Sequence, residues 1–249
     1  MRAPVAYQAL PLYKLATALY LSAAVLLLYG GAVWVLHRPL FALKKVEIVH
    51  PLVHISTAEV RRAVDGSVAG NFFTIDLPAV QRALEALPWV AGARVSRLWP
   101  NTLRVVLAER TPYARWQGGG LVSDNGTVFA GDVPGDFPLF AGPTGSGQEM
   151  LDSYRAFQNI VAPLGVRITE LDLSARQAWR MTWSDGTELA LGRVDVPARL
   201  ARFVALYGPL VARLNAKPVY VDLRYADGFA VRLPARTGAA KAAPGRNKQ

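Results

Sequence analysis

An uncharged run near the start of the chain most limits what this sequence can fold into. The 22 residues 15–36 contain no charged side chain and lie between Lys14 and Arg38. As a helix, at about 1.5 Å per residue, they would span roughly 33 Å, enough to cross the ~30 Å hydrocarbon core of a bilayer. A cleaved signal peptide and a buried core helix are the alternatives. The run predicts a single uncleaved transmembrane anchor over 15–36.

The residues before this anchor predict which side of the membrane holds the rest of the chain. The leader, residues 1–14, is short and carries Arg2 and Lys14 without an acidic residue. Basic residues follow the anchor as well, so the positive-inside bias is slight. A short leader before an uncleaved anchor usually stays in the cytoplasm while the long C-terminal part is translocated. We therefore expect a type II protein with residues 37–249 outside the cytoplasm.

Composition excludes several classes of function. The chain has no cysteine, so it forms no disulfide framework, zinc–thiolate site or thiol nucleophile. Its net charge of +10 is concentrated in part in the tail, residues 235–249, where four basic residues occur without an acid. This tail is rich in Ala, Gly and Pro and is predicted to be disordered. Aromatic residues are not interleaved with the basic cluster, so nucleic-acid binding is not predicted.

The segment that follows the anchor begins with a short strand and two helices. A β-prone run starts at Lys45. The first helix has Ser56 as its N-cap and Glu59 in the capping-box position. The second has Pro78 in its first turn and is stopped by Pro88. In this second helix, Val80, Leu84 and Leu87 recur at helical spacing.

Two extended runs complete this segment. They cover residues 90–98 and 102–109 and flank Trp99-Pro100-Asn101, an arrangement typical of a hairpin. The predicted order is therefore strand, helix, helix, strand, strand within about 70 residues. This is a small α+β module in which no catalytic arrangement is apparent.

From Pro112 onward the pattern predicts a second, mostly antiparallel β domain that carries two helices. Short extended runs are separated by turn signals such as Asp124-Asn125-Gly126 and Asp185-Gly186. The two helices are predicted over 148–161 and 197–214. A loop rich in Gly and Pro is predicted over 134–147. The later helix is amphipathic, and its side chains predicted to face inward are Leu200, Phe203, Val204, Leu206, Leu210 and Val211.

The last strand of the predicted β domain has a special position. Extended runs over 219–225 and 229–233 flank a turn, and the tail follows the second run directly. No later strand is predicted that could pair with it. It should therefore lie at an exposed sheet edge, which can accept a strand from a partner.

We find no convincing catalytic or metal-binding constellation. Glu170 and Asp172 share one face of a strand, but charged strand faces are far commoner than catalytic dyads. Pro51 excludes a regular helical metal pair between two of the histidines, and all three are expected at surfaces: His37, His50 and His54. Five tryptophans are expected to be core or partner-facing residues rather than base-stacking platforms: Trp89, Trp99, Trp116, Trp179 and Trp183. No metal, cofactor or small-molecule substrate is predicted.

Six short motifs are specific when taken together: Phe72-Phe73-Thr74-Ile75-Asp76-Leu77, Leu87-Pro88-Trp89-Val90, Arg97-Leu98-Trp99-Pro100, Glu109-Arg110-Thr111-Pro112-Tyr113-Ala114-Arg115-Trp116, Leu191-Gly192-Arg193 and Tyr220-Val221-Asp222-Leu223-Arg224-Tyr225. With the anchor and the order of elements, the chain resembles the FtsQ/DivIB family of bacterial cell-division proteins over residues 15–233. The resemblance implies an α+β fold with a POTRA domain over 41–110 and the family's β domain over 111–234. His50-Pro51, where the family often has glycine, and the short leader depart from the family pattern.

The resemblance also implies a function that depends on contact rather than turnover. Members are non-enzymatic scaffolds of the division machinery, held in the inner membrane and facing the periplasm at the septum. They recruit FtsB and FtsL, and through them the complex that synthesises septal peptidoglycan. The POTRA domain is associated with upstream partners such as FtsK.

In this family the last strand of the β domain pairs with a strand of FtsB, and nearby basic residues meet acidic ones of the partner. Transferred to matching positions, this gives the expected partner-binding residues Arg176, Arg224, Tyr225, Asp227, Gly228, Phe229 and Val231. For Tyr225 and Phe229, ordinary core packing is the alternative.

Two other classes of function remain as hypotheses. An assembly factor for envelope proteins also uses POTRA modules, but usually several of them followed by a membrane barrel. A membrane-tethered periplasmic hydrolase would need a nucleophile or a metal site, and the carboxylates Glu170 and Asp172 are its best candidates in this sequence.

Overall fold

The computed structural model describes residues 12–36, 45–49, 52–66, 71–225 and 228–235. Several sequence predictions therefore concern residues outside the described part: most of the leader, the tail from residue 236, His37, His50 and Asp227. The chain divides into two compact units, residues 1–109 and 110–249.

The first element is the predicted apolar helix. Helix α1 covers Leu12–Leu36 and so begins three residues before the predicted anchor. Its segment Tyr13–Gly31 is long and apolar enough to cross a membrane, and none of that segment is buried in the protein. The exposure argues against the core-helix alternative, because a core helix buries its apolar side chains.

The predicted α+β module follows in the first unit. Its elements are β1 (Lys45–Ile48), α2 (Thr57–Asp65), α3 (Leu77–Glu85), β2 (Val90–Leu98) and β3 (Thr102–Glu109). The sheet order is β1-β3-β2, with β1 parallel and β2 antiparallel to β3. The predicted order of strands and helices is confirmed.

Local sequence explains where the helices of this module begin. Ser56 Oγ accepts from the Glu59 backbone N–H at 3.2 Å, and Glu59 Oε2 accepts from the Ser56 N–H at 2.8 Å, which completes the capping box. Asp76 caps α3 by accepting from the Ala79 N–H at 3.1 Å. Both helices pack on one face of the sheet, in a core that includes Val60, Val64, Val80, Leu84, Leu103 and Val105.

The described part of the second unit contains nine strands and two α-helices. They are β4 (Pro112–Trp116), β5 (Leu121–Ser123), β6 (Val128–Phe129), β7 (Leu139–Ala141), α4 (Gly147–Val161), β8 (Ile168–Leu173), β9 (Trp179–Trp183), β10 (Glu188–Gly192), α5 (Val196–Leu214), β11 (Tyr220–Asp222) and β12 (Ala230–Arg232). All nine strands form one sheet in the order β12-β11-β10-β9-β8-β7-β4-β5-β6. Most neighbouring pairs are antiparallel, as predicted.

The parallel pairs show how the helices are used. Strand β7 runs parallel to both β4 and β8, and β10 runs parallel to β11. Because parallel neighbours need a crossover, α4 connects β7 to β8 and α5 connects β10 to β11. Strand β7 lies inside the segment predicted as a loop, so that part of the prediction is wrong. Its three residues are too few to show an alternating pattern, and hydrogen bonds to two neighbours make it a strand.

The helices α4 and α5 share one core with the inner side chains of the sheet. Its members include Phe140, Met150, Leu151, Leu171, Trp183, Leu200 and Phe203. Leu206 was expected to face inward, yet 46% of its surface is exposed, and Tyr207 is buried instead. The helix presents residues at intervals of three and four to the core, which places position 207 rather than 206 on the inner face.

Candidate partner-binding edge

Strand β12 lies at one end of the nine-stranded sheet. It pairs antiparallel with β11, with Tyr220 opposite Arg232, Val221 opposite Val231 and Asp222 opposite Ala230. Within residues 71–225 and 228–235, no strand pairs with its other side. Backbone N–H and C=O groups on that side are therefore available to a further strand. The expectation of an exposed terminal edge agrees with this topology.

The side chains of β12 and of the residue before it alternate between the two faces of the sheet. Phe229 and Val231 are partly buried against the main core, whereas Ala230 and Arg232 are exposed. The Phe229 ring meets the Phe203 ring of α5 edge to face, with centroids 5.1 Å apart. Phe229 is thus partly a core residue, as the packing alternative held.

Tyr225 differs from Phe229 in this respect. It follows the last residues of β11, and 58% of its surface is exposed. Gly228, directly before Phe229, is also exposed. Tyr225 therefore offers a large aromatic surface beside the free edge without having a place in the core.

A bidentate ion pair fixes the backbone that leads out of β11. The Arg224 guanidinium donates to Asp222 from Nε at 2.8 Å and from Nη2 at 2.6 Å, and the Arg224 backbone N–H donates to Asp222 Oδ1 at 3.0 Å. Asp222 is 6% exposed. Hydrogen bonds from Arg224 lower the pKa of Asp222 despite its burial, and the same bonds raise the pKa of Arg224. Both groups stay charged at neutral pH.

Arg199 of α5 secures the same segment from the helix side. Its Nη1 donates to the Arg224 carbonyl at 3.3 Å. Gly192 at the end of β10 leaves room for this arrangement, since a Cβ there would lie 3.3 Å from Arg224 Cγ. Sequence reasoning missed Arg199 and Asp222. The Asp222-x-Arg224 spacing was a usable signal, because residues two apart on a strand share a face.

Arg176 lies in the turn between β8 and β9, exposed to solvent. The register places this turn at the same end of the sheet as Arg224, since Leu173 pairs with Trp179, which in turn pairs with Gly192. The structure therefore brings two of the predicted basic residues to one end of the sheet, with two strands, β10 and β11, between β9 and the edge strand β12.

The opposite edge of the sheet is less accessible. Strand β6 lies there, but the start of α4 packs against it, because a Cβ on Gly147 would come within 2.9 Å of Val128 Cγ2. The two ends of the sheet therefore differ, and β12 is the better candidate for strand addition.

A groove of about 460 Å³ crosses the sheet face opposite α4 and α5. Its side chains are mainly charged or polar and include Glu170, Asp172, Arg180, Thr182, Glu188, Tyr220 and Arg224. Glu170 accepts a hydrogen bond from Thr182 Oγ1 at 3.2 Å, and Asp172 pairs in register with Arg180. The two carboxylates thus lie on a charged strand face whose lining includes no serine or histidine. Among the described residues, no group of three or more His, Asp or Glu side chains is arranged to hold a metal ion.

Comparison with known proteins finds family matches in two regions of the chain. Residues 41–110 match the POTRA domain, FtsQ-type, and residues 114–224 match the cell division protein FtsQ/DivIB C-terminal domain. The cell division protein FtsQ of Nitrosospira multiformis is 39% identical over 226 residues, which cover 89% of this chain and 96% of that protein. FtsQ of Burkholderia pseudomallei is 39% identical over 224 residues, covering 87% and 90%. FtsQ of Bordetella pertussis is 36% identical over 244 residues, covering 88% and 89%.

The POTRA domain and the FtsQ/DivIB C-terminal domain define a POTRA-containing cell-division protein, and its N-terminal helix is long and apolar enough to cross a membrane. These matches cover most of the chain and most of the relatives. The chain belongs to the FtsQ/DivIB family of bacterial cell-division proteins.

Proposed function

We propose that this protein is a non-enzymatic scaffold of the division machinery that recruits FtsB and FtsL through the free edge of β12. A strand of FtsB adds to β12, and acidic residues of the partner meet the basic residues at this end of the sheet. Through this contact the protein helps to control septal peptidoglycan synthesis. Its POTRA unit serves upstream partners such as FtsK.

One observation carries the proposal. Among the described residues, β12 ends the sheet with no strand on its outer side, while exposed Tyr225 and the fixed guanidinium of Arg224 lie next to it. Strand addition gains affinity from main-chain hydrogen bonds and specificity from neighbouring side chains. This edge offers both, with a positive charge for an acidic partner.

The proposed location follows from α1. As a single-pass anchor in the inner membrane it would hold the leader in the cytoplasm and residues 37–249 in the periplasm, at the septum. The apolar, unburied segment Tyr13–Gly31 supports this placement. The proposed domain limits are 1–14 for the leader, 15–36 for the anchor, 41–110 and 111–234 for the two folded domains, and 235–249 for the tail.

Calorimetric titration tests the proposal. The full chain in detergent micelles is titrated with an extracytoplasmic peptide of FtsB from the same organism. We expect binding that Tyr225→Ala weakens at least tenfold, because an exposed aromatic residue at the centre of an interface often contributes about 2 kcal/mol or more.

Val128→Ala is the matched control. Val128 is also exposed, at 38%, but it lies on β6 at the opposite edge. Loss of affinity in both variants, or in neither, would contradict partner binding at the β12 edge. Binding that is lost only on deleting residues 45–109 would move the partner site to the POTRA unit.

A further inference from the structure

The hairpin between β2 and β3 presents an apolar tip to solvent. Trp99 is 77% exposed and Leu98 is 36% exposed, with Pro100 exposed beside them. By contrast, Trp179 and Trp183 in the β domain are 8% and 1% exposed. A tryptophan side chain suits a boundary where its ring is in an apolar environment and its N–H stays hydrated. An exposed tryptophan at a rigid tip therefore indicates a contact surface.

The tip is a fixed part of the module. Arg97, two residues before Trp99, donates to the carbonyls of Phe72 at 2.7 Å and Ile75 at 2.8 Å. Its guanidinium therefore ties the base of the hairpin to the loop before α3. The apolar tip is held in one place relative to the sheet.

The strand register places this tip at the end of the module where the chain arrives from α1. Lys45, the first residue of β1, lies directly beside Thr102, the first residue of β3. Eight residues separate Leu36, the end of α1, from Lys45. At no more than about 3.6 Å per residue, this connection reaches roughly 32 Å at most. The tip is thus at the tethered end of the module, within reach of the membrane that α1 would span.

Basic side chains lie on the strands that lead away from the tip. Lys45, Arg94 and Arg104 are exposed on the three strands of the module, with Glu47 as an acidic neighbour in the register. This excess of positive charge suits the anionic headgroups of a bilayer surface, and interfacial tryptophan suits the boundary below them. The basic side chains and the exposed tryptophan both suit one ligand, a lipid bilayer surface.

We propose that the β2–β3 hairpin tip, residues 98–100, binds the bilayer interface beside the anchor and so orients the POTRA unit on the membrane. The ligand is a lipid surface that contains anionic headgroups. The inference rests on the membrane anchor within the proposed function, and it is independent of strand addition at β12.

Single-cysteine labelling tests this proposal, because the chain has no cysteine of its own. An environment-sensitive fluorophore is attached to Asn101→Cys in the full chain, which is reconstituted into vesicles of phosphatidylethanolamine and phosphatidylglycerol. A lipid with a nitroxide just below the headgroup acts as the quencher. We expect strong quenching that Trp99→Ser reduces several-fold and that Trp99→Tyr largely retains. Vesicles of phosphatidylcholine alone should give weaker quenching.

Val53→Cys is the control site. Val53 is 80% exposed, and its N–H donates to Glu109, the last residue of β3, at 3.0 Å. It therefore lies about 23 Å from the tip, at the far end of β3, and its label should stay unquenched. An unquenched label at position 101, or quenching that Trp99→Ser leaves unchanged, would overturn the proposal. A label at position 101 whose fluorescence changes only when other membrane proteins are added would assign the tip to a protein partner instead.

The same samples also show, in a separate measurement, whether α1 anchors the chain in the membrane. Flotation of the vesicles after a high-salt wash shows whether α1 holds the chain in the bilayer. Floating protein with an unquenched tip contradicts this inference alone, whereas protein that does not float contradicts the anchor in the proposed function. Unchanged FtsB-peptide binding by Trp99→Ser shows that the β domain is still folded.

Discussion

The ring of Phe229 meets that of Phe203 edge to face, with the two centroids 5.1 Å apart. Phe203 belongs to α5, so this contact attaches the segment leading into β12 to the helix layer behind the sheet. The edge that is free for a partner is therefore held in position from the core side. This contact distinguishes Phe229 from Tyr225, the other aromatic residue predicted to bind the partner. Phe229 packs against the core, whereas Tyr225 is exposed.

Phe229→Ala and Tyr225→Ala are expected to differ in stability. Phe229→Ala removes half-buried contacts with the core and should lower the free energy of unfolding by about 1–3 kcal/mol. Tyr225→Ala, at an exposed position, should change it by less than about 0.5 kcal/mol. Chemical denaturation of both variants checks this. Equal stabilities would show that the Phe229 ring does not contribute to the core.

Asp222→Asn should weaken partner binding with little effect on folding. It removes the carboxylate that holds Arg224, and Arg224 is exposed enough that the pair stabilises the fold by no more than about 1 kcal/mol. We expect a loss of affinity for the FtsB peptide of roughly fivefold, measured by calorimetry. Asp185→Asn is the control. Asp185 lies in the turn between β9 and β10 and pairs with Lys217 at 3.7 Å. Similar losses in both variants would contradict a specific role for Asp222.

The same ion pair should make partner binding insensitive to mild acid. Because the pKa of Asp222 is lowered in the folded protein, its stabilising contribution is fully present above the ordinary value of 3.8 and is lost as the pH falls through the folded value. Binding titrations between neutral pH and about pH 5 should therefore give the same contribution from Arg224. A loss of the Asp222→Asn effect within that range would show that Asp222 is already protonated there.

Glu109→Gln should destabilise the POTRA unit at neutral pH. Burial acts to raise the pKa of Glu109, but hydrogen bonds from His54, Val53 and Ile55 outweigh it and lower the pKa. The carboxylate thus contributes stability above its ordinary value of 4.5, and this contribution is lost as the pH falls through the folded value. We expect the substitution to cost about 1–3 kcal/mol.

Thermal unfolding of wild type and Glu109→Gln, from neutral pH to about pH 3, provides the measurement. The difference between the two proteins should shrink at the acidic end, where the wild-type carboxylate is protonated. Glu85→Gln, on the exposed side of α3, serves as the control and should show no such convergence. A difference that is constant over the whole range would rule out linkage to the Glu109 carboxylate.

Arg97→Met should loosen the loop before α3. The substitution removes the donors to Phe72 and Ile75 and leaves part-buried carbonyls without a partner, which costs about 1–3 kcal/mol. Arg94→Met, at another exposed position on the same strand, should cost less than about 0.5 kcal/mol. Hydrogen exchange of residues 71–77 and denaturant unfolding would report the change. Unaltered exchange would mean that the loop holds its shape without Arg97.

The sequence was most informative where a local pattern repeats. The bounds of β2 and β3 agree with those predicted, because two extended runs flank Trp99-Pro100-Asn101, which marks the turn. The start of α2 was predictable from Ser56 and Glu59 for the same reason, since a capping box is local chemistry. The edge position of β12 was also predicted, and it agrees with the sheet order of the described strands.

Features that depend on distant contacts were not predictable. Strand β7, Leu139–Ala141, exists because β4 and β8 supply its hydrogen bonds, and nothing in its own residues indicates this. The contact of Arg199 with the Arg224 carbonyl joins residues that are far apart in the sequence. The exposure of Trp99 was likewise not decided by its residue type, since other tryptophans in the chain are buried.

Strand β12 is the last described strand along the sequence as well as the outermost in its sheet, so the proposed partner site depends on the C-terminal part of the β domain. Its only strand partner among the described residues, β11, itself follows β10 through the long helix α5. A chain that ends at α5 lacks both β11 and β12, and with them the edge at which strand addition is proposed. Under the proposed function, a chain truncated before Ala230 would therefore not pair with FtsB at this edge.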